Sequence, residues 1–180
     1  QRFAEAEALG KAEEVCRSIL KESPGVGPAW YALAQITLAR RDTLTAAQVC
    51  RQASASVDIR EHEPIRQLLA ELYRSDLLLD PVLAEAPPDT AFLFRLGRIF
   101  LGSRDTSLYR KSIRVMERAV SGILPSGEQW IDLANAHRAG GDFLAAVSLL
   151  QNAVAQFPAS GDVHYTLGYA LIGAGQLEQA

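Results

Sequence analysis

Apolar positions along this chain recur with the spacing of an amphipathic helix, and the pattern itself recurs after 34 residues. From residue 127 onward, Trp130, Leu133, Ala134 and His137 lie three and four residues apart, which predicts one face of a helix. A second stripe follows, made of Phe143, Ala146, Leu150, Ala153 and Val154. Two such stripes in succession predict a pair of amphipathic helices.

Polar residues and glycines predict where these helices begin and end. Ser126, with Gln129 three residues later, fits a capping box at the start of the first helix. Gly140 and Gly141 supply the backbone freedom that closes this helix and turns the chain. The segment therefore predicts a helix–turn–helix hairpin with a tight bend.

The same pattern is present at Gly27 and starts again at Gly161. His164, Leu167, Gly168, Gly175, Leu177 and Ala180 align with Trp130, Leu133, Ala134, Gly141, Phe143 and Ala146. Upstream, the aligned residues are Trp30, Leu33, Ala34, Ala46, Ala47, Cys50 and Ala53. A fixed period of this length indicates stacked hairpins, because each hairpin needs neighbours to bury its remaining apolar face.

The period divides the chain into six segments. We expect a partial repeat in residues 1–26, with Ala12, Cys16, Leu20 and Pro24 in register, and whole repeats in 27–60 and 127–160. Residues 90–126 form a repeat with three extra residues within 102–107, and residues 161–180 form the first part of a further repeat. The chain stops inside a predicted second helix, so we expect it to be a piece of a longer protein.

Residues 61–89 form a short, degenerate repeat. Leu68, Leu69 and Leu72 mark its first helix, but Pro81 conflicts with a regular second helix. The sequence predicts Asp80 as an N-cap, Pro81 as the first helical residue, and an end before Pro87 and Pro88. This segment is expected to be the irregular joint of the array.

The Trp-x-x-Leu-(Ala/Gly) motif, the small residues of the second helix and Pro158 at the repeat end resemble the tetratricopeptide repeat (TPR) family. The resemblance covers nearly the whole chain, most strongly in residues 27–60 and 127–180. It implies an all-α, right-handed α-solenoid of about four and a half helix–turn–helix repeats. It also implies a scaffold or adaptor that binds a peptide or helix of a partner protein in a concave groove lined by the first helices.

Composition and charge exclude several other classes. Hydrophobic residues make up 48% of 180 residues, enough for a continuous core, and no apolar run approaches the ~20 residues of a membrane span. A net charge of −3 does not favour nucleic acid as a partner.

Cys16 and Cys50 occupy equivalent positions on neighbouring second helices, which favours two core thiols over a disulfide. Unpaired thiols favour the cytoplasm, with the periplasm as the alternative.

Nothing in the sequence predicts catalysis, a cofactor or a metal site. His62, His137 and His164 lack the spacing and the cysteine partners of a metal site, and the repeat positions of His137 and His164 favour packing roles. No glycine-rich phosphate loop and no nucleophile with a recognisable base are present. We therefore expect the chain itself not to be an enzyme.

First-helix residues that lie off the packing stripe are the candidates for partner binding. These residues are Tyr31, Gln35, Phe94, Arg95, Arg98, Asp132, Asn135, Arg138, Tyr165 and Tyr169. Packing between neighbouring first helices is an equal alternative for the aromatic members Tyr31, Phe94 and Tyr165. Chaperone-binding TPR domains use Lys and Asn at the fifth and ninth positions, where this chain has a suitable residue type only at Arg98 and Asn135, so the full clamp is absent.

A basic stripe of Arg110, Arg114 and Arg118 is predicted on one second helix, opposite a buried stripe. The buried stripe comprises Ile113, Met116, Val120 and Ile123. The basic stripe is interpreted as a solvated face, with an acidic partner or an intramolecular contact as the alternative. Self-association through the C-terminal end is a further expectation.

Two other functions remain open at this point. The repeats could present substrate to a glycosyltransferase- or sulfotransferase-like domain that follows residue 180, or they could form an assembly or export scaffold of the cell envelope. The Ala-, Leu- and Arg-rich composition favours a bacterial origin.

Overall fold

A computed structural model describes residues 2–103 and 105–176, with side chains from residue 6 onward. These residues form ten α-helices and one 3-10 helix (Thr106–Leu108), and no strand is found among them. The all-α prediction is confirmed. The α-helices are α1 (Arg2–Glu22), α2 (Gly27–Ala39), α3 (Thr43–Ser56), α4 (Glu63–Tyr73), α5 (Asp76–Leu83), α6 (Thr90–Gly102), α7 (Tyr109–Val120), α8 (Gly127–Ala139), α9 (Phe143–Gln156) and α10 (Gly161–Gly173).

The helices form two compact bodies. The N-terminal body comprises Gln1–Val82 and the C-terminal body comprises Leu83–Ala180. In the N-terminal body α3 packs on both α2 and α4, and in the C-terminal body α7 packs on α6 and α8 while α9 packs on α8 and α10. Each of these second helices therefore lies between two first helices, as stacked helix–turn–helix repeats require.

The turn between the two helices of a repeat has the same geometry at three places. Arg41, Gly141 and Gly175 have positive φ angles of 62°, 86° and 75°. The next amide reaches back over the helix end: Asp42 N donates to Thr37 O at 3.0 Å, and Asp142 N donates to His137 O at 2.9 Å. This is a Schellman end, which satisfies the last carbonyls of the first helix and reverses the chain.

Side-chain caps start the helices that follow these turns. The Asp42 carboxylate accepts from Thr45 N at 3.0 Å, and the Asp142 carboxylate accepts from Ala145 N at 3.0 Å. The capping box predicted at the start of α8 is confirmed, since Ser126 and Gln129 each accept from the backbone amide of the other. Local sequence thus sets the ends of these helices.

The short helix α5 corrects the prediction for Asp80 and Pro81. α5 begins at Asp76, four residues before the expected N-cap, and Pro81 lies inside it. Proline removes one hydrogen bond to the preceding turn, but the helix ends at Leu83, two residues later, so little of the ladder is lost. Burial of Leu78, Leu79 and Val82 offsets the lost hydrogen bond. This burial depends on neighbouring helices, so rules based on local sequence do not include it.

Helices α6 and α7 approach closely at Gly97. A Cβ at this position would lie 2.7 Å from Met116 Cε and 3.2 Å from Val115 Cγ2. The Ser112 hydroxyl of α7 donates a hydrogen bond to Gly97 O of α6 at 2.9 Å. The 3-10 helix Thr106–Leu108 stands between the two helices, in the stretch where the sequence predicts extra residues. Arg104 of that stretch, like Leu177 and Ala180 of the last repeat, lies outside the described residues.

Small residues fill the core of the C-terminal body between α8, α9 and α10. Ala146, Leu150 and Ala153 of α9 are fully buried, together with Ala134 of α8 and Ala170 of α10. Trp130, Ile131, Leu149, Val154, Leu167 and Ala174 pack around them and remain partly exposed. The predicted inward stripe of the second helix is therefore present, and its alanines let the helices approach closely.

Candidate functional site

The candidate binding residues lie on first helices that are neighbours in each body. α2 contacts α4 in the N-terminal body, and α8 contacts both α6 and α10 in the C-terminal body. In the N-terminal body Tyr31 is half-buried and Gln35 is exposed. Tyr31 therefore contacts both neighbouring side chains and solvent. Partner binding and packing between first helices both stay predictions for this residue.

Arg98 is the centre of an ion-pair network between α6 and α8. Its guanidinium Nε donates to Asp132 Oδ2 at 2.6 Å, and Nη2 donates to Glu128 Oε1 at 2.6 Å. The Asp132 side chain is only 17% exposed. Burial raises the pKa of Asp132, and the hydrogen bond and charge of Arg98 offset only part of that rise. Arg98 and Asp132 therefore link two neighbouring repeats, and Arg98 is not a free donor.

Glu128 is a member of this network that the sequence analysis did not select. It lies four residues before Asp132 on α8, and both acids reach the same guanidinium. The signal was available, because two acids at i and i+4 share one helix face. The spacing does not show that Arg98 of α6 lies against that face.

Phe94 and Arg95 are less accessible than Arg98 of the same helix. Phe94 is 6% exposed, so the packing alternative describes its environment, and Arg95 is half-buried. Asn135 and Arg138 lie close together on α8, where Arg138 Nη2 donates to Asn135 Oδ1 at 3.2 Å. Both are half-buried and hold one another in place.

Tyr165 and Tyr169 form the most exposed part of the candidate set. They are 69% and 52% exposed, and they lie one turn apart on α10. Their ring centroids are 5.1 Å apart with an interplanar angle of 56°, a tilted aromatic pair. The hydrogen bond with Tyr169 raises the pKa of Tyr165 above its ordinary value. Tyr165 lies on the last described first helix, so partner binding and packing against a further first helix both stay predictions for it.

Arg118 of the basic stripe on α7 has an intramolecular role. Arg118 Nε donates to Leu83 O at 2.8 Å and Nη2 donates to Glu85 O at 2.6 Å. This guanidinium therefore satisfies carbonyls at the end of α5, whereas Arg110 and Arg114 are exposed. Of the stripe predicted to be buried opposite, Met116 is fully buried but Ile123 is 39% exposed, because the chain leaves the helix at Val120.

In two repeats the ring at the first-helix Trp position bonds to the end of the preceding repeat. Trp30 Nε1 donates to Pro24 O at 2.7 Å, and His164 Nε2 lies 2.9 Å from Pro158 O. His164 is exposed, so the packing role expected for it is wrong, and this bond explains its place in the pattern. In the repeat that begins at Gly127 this bond is missing, since Trp130 Nε1 is buried with no acceptor among the described residues.

The remaining titratable groups give no sign of chemistry. His137 is 13% exposed, with its ring nitrogens 3.5 Å from Glu117 and 3.8 Å from Asp142. Cys16 and Cys50 are buried free thiols, and burial raises the pKa of Cys50 to about 12. Within residues 2–103 and 105–176, no three metal-ligating side chains cluster. In the same part of the chain, none of the helices is both long and apolar enough to span a membrane.

Stacked helical hairpins with a common turn and a common period define a helical repeat protein. Residues 137–180 match the family model of the tetratricopeptide repeat. The matched segment contains α9 and α10 and is similar to tetratricopeptide repeat proteins.

A comparison with solved structures gives matches to helical repeat proteins, two of which are as follows. One holds nearly identical TPR-like repeats of a Podosopora anserina protein of the kinesin light chain type, with 16% identity, coverage of 99% of this chain and 84% of that chain, and a TM-score of 0.48. The other is a thermophilic TPR protein of Thermus thermophilus, with 18% identity, coverage of 94% and 95%, and a TM-score of 0.34. A search of curated proteins gave no match.

Proposed function

We propose that this chain is a protein-interaction module that binds a peptide or helix of a partner along the first helices of its C-terminal body. The observation that carries the proposal is the exposed pair Tyr165 and Tyr169 on α10. Large aromatic side chains that are ordered by one another yet open to solvent lose little entropy on binding. They are also the residue type that most often dominates binding energy.

The neighbouring first helix supplies polar groups beside this aromatic pair. α8 contacts α10 and carries the half-buried Asn135 and Arg138, which already orient one another. A ligand of matching chemistry has an apolar or aromatic side chain for the tyrosines and carbonyl or carboxylate oxygens for the guanidinium. In this proposal Arg98 and Asp132 hold α6 and α8 together rather than contact the ligand.

The test is a binding measurement with a matched control. Pull-down from the source cell first identifies a partner, and its affinity is then measured for the double variant Tyr165→Ala with Tyr169→Ala. We expect an affinity loss of about 2 kcal/mol, roughly 30-fold in Kd, with an unchanged circular dichroism spectrum. The control is Leu144→Ala, a large apolar residue of similar exposure, 65%, on the second helix α9.

Two outcomes contradict the proposal. One is full affinity in the tyrosine double variant. The other is an equal loss in Leu144→Ala, which would place the ligand on the second helices. In that case Arg110→Glu with Arg114→Glu tests the basic stripe, and Arg118 is left unchanged because it holds the backbone of residues 83 and 85.

A further inference from the structure

The guanidinium of Arg118 on α7 joins two loops that are distant in sequence. Its Nε donates to Leu83 O at 2.8 Å, and its Nη2 donates to Glu85 O at 2.6 Å. Its Nη1 donates to Ser121 Oγ at 2.7 Å. A guanidinium is planar and holds its donors in a rigid fork, so these three bonds share one orientation of the side chain. We call Arg118 with these three partners the Arg118 latch.

Ser121 fixes the base of the loop that follows α7. Ser121 Oγ donates to Arg118 O at 2.8 Å, and Ser121 N donates to Glu117 O at 3.1 Å. The same hydroxyl therefore accepts from the Arg118 side chain and donates to the Arg118 backbone. The orientation of the guanidinium and the position of residues 121–125 consequently depend on one another.

Arg118 differs from the corresponding residues of other second helices. It lies two residues after the buried Met116 of α7. The corresponding residues of α3 and α9 are Gln52 and Asn152, and both are exposed. Helix α7 is also shorter, with 12 residues against 14 in each of α3 and α9. An early helix end and a long basic side chain therefore occur together in the repeat of residues 90–126.

The loop of residues 121–125 has an open, apolar tip. Gly122 has a φ of 84°, and the chain leaves the direction of α7 there. Ile123 is 39% exposed and Leu124 is 92% exposed. Solvent surrounds most of Leu124, so packing contributes little to the order of this loop, and the hydrogen bonds of Ser121 anchor it at its base.

We infer that the Arg118 latch couples the order of residues 121–125 to the order of residues 83–89. While Ser121 holds Nη1, the fork points at the carbonyls of Leu83 and Glu85, at the start of the C-terminal body. Movement of the loop removes one acceptor and frees the guanidinium to turn into solvent. Residues 83–89 then open more often, because two of their carbonyls exchange a charged donor for water.

The coupling acts in both directions, since both loops share one equilibrium. Opening of residues 83–89 removes two acceptors of Arg118, and the loop that carries Leu124 then loses part of its anchor. A change at either loop is therefore transmitted to the other, and the transmission does not require movement of the packed helices. This conformational device is independent of the tyrosine pair on α10.

Hydrogen exchange with peptide-level mass spectrometry tests the coupling in the variant Gly122→Val. Valine does not readily adopt the positive φ of Gly122, so the loop is disturbed through its own backbone. Among the described residues outside its chain neighbours, none lies within 4 Å of a Cβ built at Gly122, so the disturbance begins in the loop. We expect exchange to rise in residues 121–126 and, by at least about threefold, in residues 83–89.

Gly141→Val is the matched control. Gly141 has a φ of 86°, and a Cβ there likewise meets none of the described residues within 4 Å beyond its chain neighbours. It lies in the turn between α8 and α9 of the same body, away from the three partners of Arg118. Exchange should rise around residues 139–142 and stay unchanged in residues 83–89. This comparison separates a coupling through Arg118 from a general loss of stability.

Two further variants act on the latch itself. Ser121→Ala removes the acceptor of Nη1 without straining the backbone, so it keeps the test decisive if Gly122→Val does not fold. It should raise exchange in residues 83–89 about threefold. Arg118→Lys keeps the charge but lacks the fork, and it should raise that exchange about tenfold. Neither Ser121→Ala nor Gly122→Val should add to the increase in the Arg118→Lys background, because the connection is already broken.

Three outcomes overturn the inference. Unchanged exchange of residues 83–89 in either folded variant, Gly122→Val or Ser121→Ala, would show that the two loops are independent. An equal rise in Gly141→Val would assign the effect to general destabilisation. Increases that persist in full on top of Arg118→Lys would place the coupling outside this guanidinium.

Discussion

At the scale of single residues, three helix ends in this chain use the same left-handed backbone position, and one of them is not glycine. Gly141 and Gly175 occupy it in two repeats, and Arg41 occupies it in a third with φ of 62°. The Schellman hydrogen bonds are the same at Arg41 and at Gly141. The repeat architecture therefore fixes this conformation, and the Arg41 side chain is accommodated at a cost.

We predict that Arg41→Gly stabilises the protein. A left-handed arginine costs about 1–2 kcal/mol, and the extra freedom of glycine in the unfolded chain cancels about half of the gain. The net increase in the free energy of unfolding should be about 0.5–1 kcal/mol, measured by urea denaturation. Gly141→Ala is the matched control and should lower stability by a similar amount; equal stability of both variants and the parent would contradict this account.

At the scale of elements, polar contacts join helices that hydrophobic packing alone would leave free to slide. Arg98 joins α6 to Glu128 and Asp132 of α8, and Arg118 of α7 holds the carbonyl oxygens of Leu83 and Glu85. Glu13 of α1 binds Arg17 on its own helix and Arg40 at the end of α2. These contacts fix which residues of neighbouring helices lie opposite one another.

We predict that the contribution of Glu13 depends on pH. The hydrogen bond with Arg17 and then that with Arg40 lower its pKa below the ordinary value of 4.5. A depressed folded pKa gives stability that is present above pH 4.5 and is lost as the pH falls through the folded value. Glu13→Gln should therefore cost about 0.5 kcal/mol near pH 7 and almost nothing near pH 2.

Thermal unfolding of Glu13→Gln and its parent at several pH values measures this difference. Glu7→Gln serves as the control, because Glu7 pairs with Lys11 of its own helix and both side chains are exposed. Its effect should be smaller than that of Glu13→Gln at neutral pH. A stability difference for Glu13→Gln that is constant from pH 7 to pH 2 would rule out the ion-pair explanation.

At the scale of the whole molecule, the repeat is least regular around α5. This helix has eight residues, contains Pro81, and includes the boundary between the two compact bodies at Val82. By contrast, α9 has 14 residues and no proline. Stability in a repeat array is a sum of local and neighbour terms, so a short helix with a missing hydrogen bond should open first.

We predict that amides in residues 77–89 exchange with solvent at least about tenfold faster than those in residues 144–155. The reason is that α5 is short and Pro81 interrupts its hydrogen-bond ladder. Native-state hydrogen exchange with peptide-level mass spectrometry measures both segments in one sample. Equal protection of the two segments would show that α5 is as firmly held as the second helix of a regular repeat.

The sequence by itself determined the features that depend on neighbours in the chain. The helix spacing, the turn at Gly141 and the capping box of Ser126 with Gln129 all follow from contacts within about six residues. The repeat also let residues be compared with their equivalents, which is why the fold class could be predicted. The candidate residues on α10 were selected in the same way.

Only the tertiary structure decided which side chains are free. Arg98 and Phe94 both lie off the packing stripe of α6, yet Phe94 is buried and Arg98 is bound to two acids 30 and 34 residues away. The start of α5 before Pro81 and the exposure of His164 could likewise not be predicted from neighbouring residues. The physical reason is that exposure and ion pairing depend on which helix packs opposite, and this contact is made between residues distant in sequence.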